Sequence, residues 1–190
     1  MSVLSVSLAS SHEFHKKALP SIQLLENLGV EGDCHLGTTV QHRSRLHIKP
    51  PPANLRQVHL IHSELFREFE AKNNDGGFHV EPGQLGENIT TVGIDLLALS
   101  KGTRLHFIND GTELCQDHAV VRVTGLRNPC PQIDKFQKGL RERCLLRDEG
   151  RNIVGRKAGI MTVVEFSGKV ERGASIIVEA PEKFEDLECV

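Results

Sequence analysis

Cys130 stands between Pro129 and Pro131 in the run Gly125-Leu126-Arg127-Asn128-Pro129-Cys130-Pro131-Gln132, directly after an alternating apolar stretch over residues 119–124. A thiol on a rigid turn at a strand end is placed to react or to ligate a metal. Proline fixes φ at about −65° and biases the preceding residue towards extended backbone, so Asn128 and Cys130 are both restricted. Arg127, three residues upstream, can hold a negative group beside the thiol. Taken alone, a cysteine in a proline turn reads as a small buried core residue.

Two further segments carry candidate chemistry. Gly29-Val30-Glu31-Gly32-Asp33-Cys34-His35-Leu36-Gly37 is too rich in glycine for a regular element and reads as a loop whose backbone can approach a ligand closely. Asp33 and His35 within it are candidates for supporting a bound group or moving a proton. Glu87 and Asn88, after Gly86, offer acceptors and an amide to a polar ligand edge, or equally to their own loop.

The elements that position these residues are mostly strands. Residues 3–8 alternate apolar side chains with serine, and residues 58–61, 89–92, 104–108, 119–124, 160–166 and 175–178 form further short strand patterns punctuated by glycine. The spacing predicts helices over 20–28, about 63–72 and about 134–146. Short strands with glycine turns and few helices predict a mainly β fold, an antiparallel β-barrel with a few short helices. No linker or repeat divides the chain, which we read as one domain over 1–190.

Composition narrows the function. A net charge of −2 with mixed signs, and no Trp or Tyr for base stacking, argue against a nucleic-acid partner. Five cysteines without a Cys-x-x-Cys pair, no secretory pattern and no apolar stretch long enough for a membrane span predict a cytoplasmic protein. His42, Arg43, Arg45, His47 and Lys49 form a basic cluster ahead of three prolines, read as an extended, solvated connection.

In order along the chain, Gly29-Val30-Glu31-Gly32-Asp33, Pro82-Gly83-Gln84-Leu85-Gly86-Glu87-Asn88-Ile89-Thr90, Gly93-Ile94-Asp95-Leu96 and Arg127-Asn128-Pro129-Cys130-Pro131-Gln132-Ile133 resemble the MOSC domain family, the domain also found at the C-terminus of molybdenum-cofactor sulfurases. The resemblance spans about residues 30–178 and is closest to the stand-alone bacterial type. It implies a MOSC-type β-barrel that binds molybdenum cofactor in its molybdopterin form. The implied activity is sulfur transfer or molybdenum-dependent reduction of N-hydroxylated compounds, with Cys130 as metal ligand or sulfur carrier. Arg127 becomes the first candidate for the cofactor phosphate, Arg43 and Arg45 lesser ones, and Glu87 and Asn88 candidates for orienting the pterin. The partners implied are a small-molecule substrate or cofactor and a sulfur-donor or electron-donor protein. The chain is shorter than the pyridoxal-phosphate domain of a full sulfurase, so sulfur would arrive from a partner. Residues 1–30 are too few to supply the extra N-terminal barrel of the related reductases.

Two other readings remain open from the residues. A non-catalytic module that carries cofactor or sulfur needs only one exposed nucleophile, which Cys130 supplies equally well. A zinc-dependent hydrolytic site from His35, His59, His62 and Cys34 is weaker, because His59 and His62 lie three apart in a strand pattern and point to opposite faces.

Overall fold

Alternating burial in the strands sets the architecture. In the computed structural model, which describes residues 1–41, 47–71, 77–111 and 118–190, the chain forms β1 (Ser2–Leu8), β2 (Lys17–Leu19), β3 (Ser21–Leu25), β4 (Gly29–Val30), β5 (Val58–His62), α1 (Glu64–Glu70) and β6 (Ile89–Val92). These are followed by β7 (Arg104–Ile108), β8 (Ala119–Leu126), α2 (Gln132–Phe136), α3 (Leu140–Arg143), β9 (Leu145–Arg147), β10 (Ile153–Arg156), β11 (Ile160–Phe166), β12 (Gly168–Glu171) and β13 (Ser175–Glu179).

Seven strands close into a barrel in the order β13-β7-β8-β11-β5-β6-β1, with β1 pairing back to β13 and β2 added at the side of β1. Closure leaves the barrel no free edge. β5 and β6 pair in parallel through Leu60↔Ile89 to His62↔Thr91, while the other barrel pairs are antiparallel. Val58, Leu60, Ile89, Leu105, Phe107, Val121 and Ile160 fill the interior. A second apolar cluster packs α1, α2 and α3 over the outer side of β5, with Ile61, Leu65, Phe69, Ile133, Leu140 and Cys144 buried in it. β5 is therefore buried on both faces: outward-facing Ile61 lies under the helical excursions, and His59 is also buried.

Two expected helices take other forms. Residues 20–28 contain the strand β3, in which Ile22 and Leu24 point inward and Ser21 and Gln23 do not, and which pairs with β12 through Ile22↔Val170 and Leu24↔Gly168. The period-two alternation and a waiting partner strand outweigh the helical spacing of Ile22, Leu25 and Leu28. The helix expected over about 134–146 is broken: α2 ends at Phe136, Gly139 takes φ of 95° and starts α3, and the chain then enters β9. Among the described residues no helix is long and apolar enough to cross a membrane.

Candidate functional site

β8 leaves the barrel at Leu126 and delivers the proline turn to the rim of a cavity of about 510 Å³. The turn is held from several sides. The Arg127 backbone N–H donates to the Gly159 carbonyl at 3.0 Å, and Ile133 N–H donates to the Cys130 carbonyl at 3.1 Å. Arg141 Nε donates to the Pro129 carbonyl at 3.1 Å, and Arg156 Nε donates to Asn128 Oδ1 at 3.2 Å. Cys130, half-buried, lies in the cavity wall with Arg127, Asn88, Lys16, His35 and His59. Its Sγ makes one weak contact within its own turn, 3.7 Å to Gln132 Oε1.

Another part of the lining comes from His12, Glu13, Phe14 and Lys16 and, in the glycine loop, from His35. Here two glycines are needed for close approach. Gly83 and Gly86 have φ of 87° and 81°, and a Cβ would fall 2.4 Å from the Lys16 carbonyl oxygen at the first and 2.9 Å from the Phe14 carbonyl oxygen at the second. Phe14 meets Phe136 of α2 at a tilt and His15 meets it edge to face, with centroid separations of 6.1 and 4.7 Å, so this segment bridges the barrel and the helical excursion.

Beneath the cavity Asp33 gathers four donors. Its Oδ2 accepts from Lys16 Nζ, from Ala9 N–H at 3.3 Å and from Asn88 Nδ2 at 3.1 Å, while Oδ1 accepts from His35 N–H at 3.0 Å and faces His35 Nδ1 at 3.1 Å. Burial works to raise the Asp33 carboxyl, but the His35 hydrogen bonds and the Lys16 ammonium outweigh it and hold the group well below the usual carboxylate range. Asn88 is spent in the same network: its Nδ2 also donates to the Ser7 carbonyl at 3.2 Å, and its Oδ1 accepts from His59 N–H at 3.2 Å.

The six residues singled out from sequence are thus divided by position. Cys130, Arg127, Asn88 and His35 line the cavity, and Asp33 supports two of them from below. Glu87 is not in the cavity wall. Fully buried, it accepts from Gly83 N–H at 2.5 Å, Leu85 N–H at 3.2 Å and Thr90 Oγ1 at 3.1 Å, so the carboxylate expected to orient a ligand folds its own loop instead. Arg43 and Arg45, the lesser phosphate candidates, and Cys115 lie outside the described residues.

Sequence reasoning missed Lys16, His12, Arg56 and Arg141 in the cavity wall. The run His12-Glu13-Phe14-His15-Lys16 was the available signal, two histidines and a lysine around an aromatic, but nothing local ties it to Asp33. His59 is in the wall for a different reason from the zinc one. Burial and the nearby Arg127 charge hold it well below the ordinary histidine value, and its Nε2 donates to the Ala158 carbonyl at 2.8 Å, so it is a neutral, hydrogen-bonded ring. Neither His59 nor His62 belongs to a metal-ligating cluster among the described residues.

Arg127 brings a guanidinium to the cavity wall. Its Nη1 is buried and meets no hydrogen-bond acceptor among the described residues. Burial lowers its pKa. A buried cationic N–H without an acceptor costs free energy that an anionic ligand would recover.

The MOSC domain family matches residues 31–177, and the chain belongs to that family, whose domains are associated with molybdenum cofactor. Among solved structures, the YuaD protein from Bacillus subtilis has the same fold with a TM-score of 0.73 and 23% identity, over 95% of this chain and 96% of that one. YiiM from Geobacillus stearothermophilus is 17% identical with a TM-score of 0.61, over 94% of this chain and 74% of that one. YiiM from Escherichia coli is 18% identical with a TM-score of 0.60, over 98% and 73%. Comparison with curated protein sequences gives no match.

Proposed function

We propose that the cavity binds molybdenum cofactor in its molybdopterin form, with the Cys130 thiolate as a protein ligand to the metal and Arg127 as the principal contact to the phosphate. The observation that carries this is the pairing, in the lining of one cavity, of an accessible thiol with a guanidinium whose buried Nη1 meets no acceptor among the described residues. The donor set fits the group. Molybdenum in this cofactor is held by sulfur, for which a thiolate is a matching soft donor, and the phosphate matches the fork of a guanidinium. A cavity of about 510 Å³ falls within the range of small-ligand sites.

When bound, the cofactor supplies a metal centre for oxygen-atom or sulfur chemistry. The protein's part is positioning. The turn fixed by Pro129, Pro131 and Arg141 presents Cys130 in one direction, and Arg127 fixes the far end of the ligand. Asn88, held by Asp33, Ser7 and His59, gives that wall a rigid polar edge. His35, half-buried beside Asp33, is the group placed to exchange a proton with a bound substrate. We favour reduction of N-hydroxylated compounds with an electron-donor protein; sulfur carriage by Cys130 is the alternative, since one thiol in the wall suits both.

Protein purified from a host that makes the cofactor tests this directly. On denaturation it should release a fluorescent pterin in a ratio near one per chain, and the native protein should turn over an N-hydroxylated substrate with a chemical reductant. A persulfide on Cys130 without turnover would transfer the assignment to the carrier, and the absence of pterin, turnover and persulfide together would remove both.

A further inference from the structure

We propose that His12, Cys34 and His35 form a binding site for one borderline-soft divalent cation of the zinc class at the edge of the cavity, separate from Cys130. One ligand atom from each of the three lies within 4.8 Å of the others, and Cys130 is not in the group. Zn–S of about 2.3 Å and Zn–N of about 2.05 Å at a tetrahedral angle put sulfur and nitrogen about 3.6 Å apart. Cys34 Sγ and His35 Nδ1 are 3.2 Å apart, and the His12 and His35 rings meet edge to face with centroids separated by 5.2 Å. To converge on one ion, His35 Nδ1 exchanges its hydrogen bond to Asp33 Oδ1 for the metal, while the carboxylate keeps Lys16, Ala9, Asn88 and the His35 N–H.

The outer groups suit a cation as well. His12 Nε2 donates to the Gln41 carbonyl at 3.0 Å, which leaves Nδ1 as the nitrogen that would ligate and gives it the backbone support typical of metal-ligating histidines. Asp33 Oδ1 lies 3.1 Å from His35 Nδ1 and 3.9 Å from Cys34 Sγ, and the carboxylate is anchored from the other side by Lys16, Ala9 and Asn88. Its negative charge offsets that of an ion. Cys34 gives up its thiol proton as the ion binds. Thiolate with two imidazoles selects zinc over calcium or magnesium, which take oxygen donors. Because His12 and His35 also line the cavity, an ion here borders whatever the cavity holds, and while it is bound it takes His35 out of proton exchange with a substrate.

Cobalt(II) is the probe, since it replaces zinc and reports its ligands optically. Titration of the full-length, reduced, untagged protein should saturate at one equivalent, with a near-ultraviolet thiolate charge-transfer band and visible bands of a tetrahedral centre, both bleached by zinc. Cys34→Ser should abolish the charge-transfer band. His12→Gln should weaken cobalt binding by at least tenfold, and Cys189→Ser should leave it unchanged, with circular dichroism verifying that each variant is folded. No band on folded wild-type protein, or a band that survives Cys34→Ser and vanishes in Cys130→Ser, would overturn the proposal. Neither result bears on pterin content, so the two assignments fail separately.

Discussion

The Asn88 side-chain amide donates to the Asp33 carboxylate at 3.1 Å, joining two loops 55 residues apart in the chain under the cavity floor. The bond draws the glycine loop and the turn after Gly86 into one polar platform, with Lys16 as its counter-charge.

Removing the centre of that platform should be costly. Asp33→Ala strands a buried ammonium, and we expect a loss of about 3–5 kcal/mol in urea unfolding. Lys16→Met combined with Asp33→Asn, which removes both charges while nearly keeping volume and an acceptor oxygen for the remaining donors, should cost clearly less than Asp33→Ala alone. A single-variant loss within experimental error would show that the pair does not hold the floor.

Stability should fall on acidification in two windows. A histidine whose folded pKa is depressed binds fewer protons in the native state than when unfolded, so its contribution weakens as pH drops below about 6.5, by up to about 1.4 kcal/mol per pH unit. His59 and His62 are both lowered by burial. Asp33, with a depressed carboxyl, contributes fully above its unfolded value of about 3.9 and loses that contribution only as pH falls further. Urea midpoints between pH 8 and 5 should decline, and His59→Gln, which keeps a donor for the Ala158 carbonyl, should flatten the slope. A slope unchanged by the substitution would contradict the buried, neutral assignment.

The thiols should sort by environment. Cys144 is buried beneath the helical excursion and pushed up to about 12 by that burial, so native protein at pH 8 should leave it unalkylated. Cys130, half-buried in the cavity wall, should be alkylated first among the cysteines of the site, as read by peptide mass spectrometry over a time course. Modification of Cys144 before Cys130 would mean the helices over β5 open readily.

Glu87 and Arg127 should separate folding from binding. Glu87→Gln turns an amide donor towards backbone N–H groups and should cost about 1–3 kcal/mol of stability, with the folded fraction retaining ligand. Arg127→Met removes a buried charge that lacks an acceptor, so stability should stay within about 1 kcal/mol of wild type or rise. Cofactor retention should fall by about 10–100-fold, the value of one charged hydrogen bond. A destabilised Arg127→Met with normal retention would reverse the two roles.

These contrasts also show what was legible in the chain. Barrel strands such as β5, β8 and β11 were readable because they are short apolar, largely β-branched runs buried along most of their length. β3 was not, since Ile22, Leu24, Leu25 and Leu28 satisfy both periods and pairing with β12 decides between them. Gly139 between two helical patterns was the overlooked cue to the break between α2 and α3. In the site, Cys130 and Arg127 were readable because proline turns constrain locally. The role of Glu87 was not, because a carboxylate serving its own loop and one serving a ligand have the same sequence signature. Lys16 depends on a contact 17 residues away that no local pattern encodes.

The most direct measurement is molybdenum content by elemental mass spectrometry, on wild type and Cys130→Ser purified from a host that makes molybdenum cofactor. The account predicts close to one molybdenum per wild-type chain and a large loss in the variant, with unfolding midpoints of the two metal-free proteins nearly equal. Molybdenum absent from wild type, or retained equally by a folded Cys130→Ser, would contradict the assignment of Cys130 as the ligand that holds it.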